Sequence, residues 1–257
     1  MTPNPAPRLL LFDLDDTLCD YTTARDLRLR LAFTHGLARS APAIPGGAAR
    51  PAAGTTDAAA APDFPAHIER LAAASVTRNP HGSDHFSDLL RDHGLGGDPA
   101  TAAAAIDWYR ENRFHGLALF EDAEATLLAL RRDPVTRRSR IGLVTNGPSE
   151  VQRAKIEVLA VERLVDFILV SEEVGAWKPD PAIFAEALRR GGAAPSETLF
   201  AGDSMEHDMA GASAAGLRTV WVNRDGRSRQ PGEVEPDHEI RRVGEMLPLL
   251  GIGTGRG

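Results

Sequence analysis

Leu9-Leu10-Leu11-Phe12-Asp13-Leu14-Asp15-Asp16-Thr17 runs four apolar residues without a break into an acidic turn. A strand buried on both faces of a parallel sheet reads this way, because neither face meets water. Working outward, residues 141–144, 167–170, 198–201 and 219–222 repeat the pattern. Helical stretches fall between them at 123–132, 150–160, 181–190 and 207–215. Ser149 and Gln152 have the spacing of a capping box, Pro181 suits a first helical turn, and Gly191-Gly192 ends the helix behind it. Strands alternating with helices predict an α/β fold, a doubly wound parallel sheet with right-handed crossovers.

Residues 19–118 break that rhythm. They hold no convincing strand and several helical stretches, at 23–39, 67–78, 83–93 and 101–115. The expectation is an inserted α-helical domain over 19–118, with 1–18 and 119–257 forming the core domain. Within the insertion, 41–65 is rich in Ala, Pro, Gly and Thr with little to bury, which predicts a flexible loop.

An apolar share of 42% against 25% charged residues excludes wholesale disorder and a collagen-like chain. A formal charge of −7 gives no net attraction to nucleic acid or to an anionic membrane. Cys19 is the single cysteine, so neither an internal disulfide nor a cysteine-type zinc site can be assembled. The apolar run at 9–12 is too short for a signal segment or a membrane span. These features predict a soluble cytoplasmic protein, monomer or homodimer, with no nucleic-acid or membrane partner.

Ligands of open parallel sheets bind beyond the carboxyl ends of the strands. Three strands end in polar residues: Asp13-Leu14-Asp15-Asp16-Thr17, Thr145-Asn146-Gly147, and Gly202-Asp203-Ser204 with Asp208 following. Lys178-Pro179-Asp180-Pro181 lies between the second and third. Each piece alone is ordinary turn chemistry. Together, in this order, they resemble the signature of the haloacid dehalogenase-like (HAD) hydrolase superfamily. Further stretches are similar to one branch of it, among them Leu143-Val144-Thr145-Asn146-Gly147, Gln152, Lys155-Ile156-Glu157, Ser171-Glu172-Glu173-Val174-Gly175 and Trp177-Lys178-Pro179. That branch carries an α-helical cap between its first two motifs and includes pyrimidine 5′-nucleotidase-like and N-acylneuraminate-9-phosphatase-like enzymes.

The resemblance implies a Rossmann-like core and a Mg²⁺-dependent phosphatase acting on a small phosphorylated molecule: a sugar phosphate, a nucleoside monophosphate or a phosphorylated acid. Carboxylates gathered at one sheet edge repel unless a hard divalent cation neutralises them, which agrees. Asp13 and Asp203 are the implied side-chain ligands, with the Asp15 backbone carbonyl as a third and Asp208 holding metal-bound water. Asp13 is the implied nucleophile and Asp15 the acid/base. Thr145 and Lys178 would meet the transferring phosphoryl group, aided by backbone N–H groups at Asn146 and Gly147, while Thr17 braces the loop. Asp16 matches a variable position and stays outside the site. Asp15 disfavours a dehalogenase, since halide leaves without protonation. A phosphomutase and a catalytically idle binding protein are the alternatives.

Two other residue groups invite a functional reading. His81 and His85 are spaced to share a helix face, yet no Cys or acidic partner completes a metal set nearby, so packing or surface roles are expected. Trp108-Tyr109 sit at helical spacing with Ile106 and are expected to pack rather than to stack on a substrate.

Overall fold

A computed structural model describes residues 6–40, 64–76, 85–93 and 99–253. In chain order the elements are β1 (Leu9–Phe12), α1 (Tyr21–Ser40), α2 (Phe64–Val76), α3 (His85–Asp92), α4 (Pro99–Glu111), α5 (Ala123–Arg132), β2 (Arg140–Thr145) and α6 (Ser149–Leu159). They continue as β3 (Phe167–Val170), α7 (Ser171–Val174), α8 (Pro181–Gly191), β4 (Thr198–Gly202), α9 (Ala210–Ala214), β5 (Arg218–Val222), β6 (His238–Ile240) and α10 (Met246–Leu249). The strands form one parallel sheet in the order β3-β2-β1-β4-β5-β6.

β1 lies at the centre and all four of its side chains are fully buried. Each contributes on the order of 1.5–3 kcal/mol by leaving water. The five strands expected from the apolar runs are all present. β6 is an additional edge strand; its His238 and Glu239 are exposed, so no apolar run marks it.

The chain builds outward from β1 to β3, then returns to the other side of β1 for β4 to β6. The order therefore reverses between β1 and β4, which opens a crevice beyond their carboxyl ends.

Local chemistry sets the helix ends. Asp180 caps α8 by accepting from the Ala182 N–H at 2.8 Å, Pro181 takes the first turn, and Gly192 closes it at φ 64°. The capping box expected at Ser149 and Gln152 does not form. Pro148 occupies the N-cap position, which moves Ser149 into the first turn; its N–H donates to Glu172 at 2.7 Å and its hydroxyl to Glu173 at 2.6 Å. Gln152 turns inward instead. The helix expected over 207–215 begins earlier, as a π turn over Met205–Met209 that runs into α9.

The chain divides into two compact units, Met1–Tyr21 with Leu117–Gly257, and Thr22–Gly116. The second holds α1 to α4 around Leu29, Phe33, Leu71, Phe86, Leu89 and Leu90. Tyr109 meets the Phe86 ring at 5.6 Å, and Trp108 packs against the same cluster. His85 is buried with Nε2 2.6 Å from Ser75 Oγ, whereas His81 lies outside the described residues. So does most of the expected loop, residues 41–63; its last two residues, Phe64 and Pro65, already belong to α2. No helix among the described residues is long and apolar enough to cross a membrane.

Candidate active site

The reversal between β1 and β4 brings the carboxylates together. Asp13 follows β1, and its N–H continues the ladder to the Ala201 carbonyl at 2.9 Å. Asp203 follows β4, and its carbonyl accepts from the Trp221 indole N–H at 2.8 Å. The π turn then presents Asp208, whose Oδ2 accepts from the Ser204 N–H at 3.0 Å. A Cβ at residue 202 would collide with the Asp208 carboxylate, so glycine there is what lets this side chain lie against the strand end. Carboxylate oxygens of Asp13, Asp203 and Asp208 fall within 4.8 Å of one another.

Lys178 enters this cluster from the segment before α8. Its Nζ lies 2.5 Å from Asp13 Oδ1 and 2.6 Å from Asp208 Oδ1, and the side chain is buried. Three carboxylates around one ammonium carry two more negative charges than positive. Burial, opposed by Lys178 and reinforced by Asp208, Asp203 and Asp15, holds Asp13 well above the ordinary carboxylate range. Burial and the neighbouring Asp208 push Asp203 up to about 7. Burial pulls the Lys178 ammonium down, yet the two carboxylates outweigh it and raise the lysine above its usual value. Thr17 donates its hydroxyl to Asp203 Oδ1 at 3.3 Å, tying the first motif loop to the end of β4.

Asp15 is not among the three clustered carboxylates. Asp16, at φ 58°, turns the chain just beyond it, a conformation that aspartate tolerates better than most side chains. The Asp15 Oδ2 accepts from Lys155 Nζ at 2.7 Å and from Gln152 Nε2 at 3.3 Å. Gln152 Nε2 also lies 2.5 Å from Thr145 Oγ1 and 2.9 Å from the Asn146 carbonyl, so its two hydrogens are shared among three acceptors. Because a carboxylate and a carbonyl can only accept, these partners fix the orientation of the Gln152 amide. The Thr145 hydroxyl accepts there, which leaves its own hydrogen to donate elsewhere.

The Asn146 side chain and the Gly147 N–H both have partners within the protein. The Asn146 side chain grips the Lys178 backbone, with Nδ2 donating to the carbonyl at 2.9 Å and Oδ1 accepting the N–H at 2.8 Å. The Gly147 N–H donates to Ser171 Oγ at 2.9 Å, so that donor is already engaged. Gly147, at φ 147°, instead provides the turn against which Gln152 packs; a Cβ there would sit 3.0 Å from the Gln152 Cγ.

Gln152 and Lys155, which stand among the stretches similar to one branch of the superfamily, are site residues to which the sequence alone assigns no role. Both are buried on α6, on the face that carries Ile156 and Leu159. Two polar residues on an otherwise apolar helix face were the available signal.

A parallel sheet that gathers carboxylates and a lysine at its reversal point defines an acidic hydrolytic centre, and known proteins agree. The family model for haloacid dehalogenase-like hydrolases matches residues 7–216. Over 170 residues the chain is 36% identical to the glyceraldehyde 3-phosphate phosphatase of Methanopyrus kandleri, covering 65% of this chain and 71% of that one. Over 261 residues it is 34% identical to the phosphoserine phosphatase of Thermus thermophilus, covering 95% and 98%. The magnesium-bound crystal structure of the HAD-hydrolase YfnB of Bacillus subtilis superposes with a TM-score of 0.67 at 26% identity, over 96% of this chain and 99% of that one. The chain belongs to the HAD-like hydrolase family, and within it to the phosphoric monoester hydrolases.

Proposed function

We propose that the protein is a Mg²⁺-dependent phosphatase that hydrolyses a small phosphate monoester through an aspartyl-phosphate on Asp13. The observation that carries this reading is the cluster of buried Asp13 and Asp208 with half-buried Asp203, in which Lys178 bridges Asp13 and Asp208, with Asp15 two residues beyond Asp13. The donor set fits a hard cation: the oxygens are carboxylates, and mutual repulsion and burial raise both Asp13 and Asp203 until a positive charge relieves them. Asp13, Asp203 and Asp208, with the Asp15 backbone carbonyl, would hold Mg²⁺, which would supply positive charge to the carboxylates and to the phosphoryl oxygens.

The remaining chemistry falls to the chain. Lys178 pins Asp13 Oδ1 and so fixes the rotamer of the nucleophile. An oxygen of Asp13 bonds to phosphorus as the bond from phosphorus to the leaving alcohol oxygen breaks, and Asp15 gives that oxygen its proton. In the second half, Asp15 takes a proton from water as the water oxygen bonds to phosphorus. The bond from phosphorus to Asp13 breaks, phosphate departs, and both aspartates return to their starting forms. Thr145 offers its hydroxyl hydrogen to a phosphoryl oxygen, and Asn146 keeps Lys178 beside the same group.

The relatives named above are a glyceraldehyde 3-phosphate phosphatase and a phosphoserine phosphatase, which supports small sugar phosphates and phosphorylated acids as the substrate class; nucleoside monophosphates rest on the motif resemblance alone. Choice among them is assigned to residues 19–118 as a cap, since the core residues described above attend to the phosphoryl group rather than to the alcohol. The test is phosphate release from a panel of these esters with Mg²⁺ and with chelator. Mg²⁺-dependent release is expected. No release from any ester overturns the reading in favour of an idle binding protein, and transfer of the phosphoryl group to a second hydroxyl without release makes the protein a phosphomutase.

A further inference from the structure

Lys155 has no packing reason to be where it is. It lies on the inward face of α6 beside Ile156 and Leu159 and is 4% exposed, a position where Leu or Met would fill space without a charge to desolvate. Its pairing with the half-buried Asp15 is weak evidence for stability, because desolvating the ammonium offsets much of the attraction. What Lys155 does have is geometry. Its ammonium lies 2.7 Å from Asp15 Oδ2 and 3.7 Å from the centroid of the Tyr21 ring. The ring face attracts the cation and restricts where it can sit.

We propose that Lys155 is a positioning residue for the acid/base: it holds Asp15 Oδ2, with the Tyr21 ring holding the ammonium, so that Oδ1 is the oxygen that gives and takes the proton. This rests on the phosphatase reading above. An Asp carboxylate is broad in its terminal torsion, so a single anchored oxygen decides which oxygen is presented. Oδ2 takes the ammonium and the Gln152 amide. Oδ1 meets the Cys19 thiol at 3.7 Å, a weak donor that a leaving-group oxygen can replace. In the first step the proton on Oδ1 passes to the alcohol oxygen as its bond to phosphorus breaks. In the second, Oδ1 takes a proton from the attacking water.

The experiment compares Lys155→Met with wild type on an alkyl phosphate, whose leaving group needs a proton, and on p-nitrophenyl phosphate, whose leaving group does not, both with Mg²⁺. Misplacing the acid should slow phosphoenzyme formation from the alkyl ester, read by rapid acid quench, by about 10- to 100-fold and leave that from p-nitrophenyl phosphate within about threefold, while the later hydrolysis, which also uses Oδ1, slows equally for both. Lys155→Arg, which keeps a donor for Oδ2, should recover part of the loss. Tyr21→Leu should shift the ratio of the two rates in the same direction, whereas Tyr21→Phe, which keeps the ring face, should leave it at the wild-type value. If Lys155→Met does not fold, Tyr21→Leu decides alone. An active wild type whose variants keep the wild-type ratio of phosphoenzyme-formation rates, or slow both formation rates equally, overturns the positioning role. A wild type inactive on both esters overturns the phosphatase reading and this proposal with it.

Discussion

Asn146 and Lys178, 32 residues apart, hold each other by two hydrogen bonds, one given and one received by the Asn146 amide. The pair works like a rung of a sheet ladder, with a side chain standing in for one backbone. It places the Lys178 ammonium between Asp13 and Asp208, on a segment that belongs to no strand. Asn146→Ala should therefore act through the lysine. It removes both bonds, leaves two backbone groups without partners, and should cost about 1–3 kcal/mol in thermal or denaturant unfolding. Turnover should fall by about tenfold or more as Lys178 loses its register. Unchanged kcat in a variant of lowered stability would separate the two effects and remove the positioning role.

Asp13→Asn keeps the shape of the nucleophile and removes its charge. Phosphatase turnover should fall by about 10³-fold or more. Acid-quenched wild type incubated with substrate should carry phosphate in an acyl linkage that hydroxylamine releases, and the variant should carry none. A folded Asp13→Asn protein with near-normal turnover would exclude a covalent intermediate on this residue.

Asp15 and Lys178 should be distinguishable by leaving group. Asp15→Asn should slow phosphoenzyme formation from alkyl phosphates by about 10²-fold or more while sparing that from p-nitrophenyl phosphate, because only the former need a proton; the hydrolysis that follows should slow equally for both. Lys178→Met should impair both esters, since the charge beside Asp13 serves either substrate. It should also destabilise the fold by about 3–5 kcal/mol, as it leaves buried carboxylates facing each other. Equal losses in phosphoenzyme formation on the two esters in Asp15→Asn would remove the acid role.

Asp203 provides the pH test. Its pKa in the metal-free protein lies near 7, above that of an unfolded aspartate, so the native state binds this proton more tightly than the unfolded chain does. The proton-linked stability is present at low pH and is lost as pH rises from the ordinary carboxylate range through 7. A divalent cation competes with the same proton, so its stabilising effect should grow over that interval. The rise in Tm on adding saturating Mg²⁺ to chelator-treated protein should be about 5 °C or more at about pH 8 and clearly smaller at about pH 5.5. Asp203→Asn should reduce the rise at both values and flatten its pH dependence. A Tm rise independent of pH would mean that the cation binds elsewhere.

The element types and the identity of most site residues are carried by local sequence. Four apolar residues at 9–12 specify a strand buried on both faces, because burial of both faces leaves no room for a polar residue within the run. The residues at strand ends are legible for a related reason: polar groups that follow a buried strand stand at the sheet edge, where ligands of parallel sheets bind. Asp13, Thr145 and Asp203 are found there. Where the apolar run fails, so does the reading, as at β6, whose residues His238 and Glu239 face solvent.

Tertiary structure decides what each polar side chain is joined to. Ser149 and Gln152 have the spacing of a capping box, yet Gln152 lies against Thr145 and Asp15, because the strand order places β2 and β1 side by side at the helix start. Asn146 and Gly147 read as ordinary turn residues, and their partners, Lys178 and Ser171, are separated from them by all of α6 and β3. Lys155 reads as a helix lysine until the sheet brings Asp15 within 2.7 Å of it. The physical reason is common to these cases: strands and helices follow from local apolar period and caps, whereas a hydrogen-bond donor takes whichever acceptor the sheet order sets beside it.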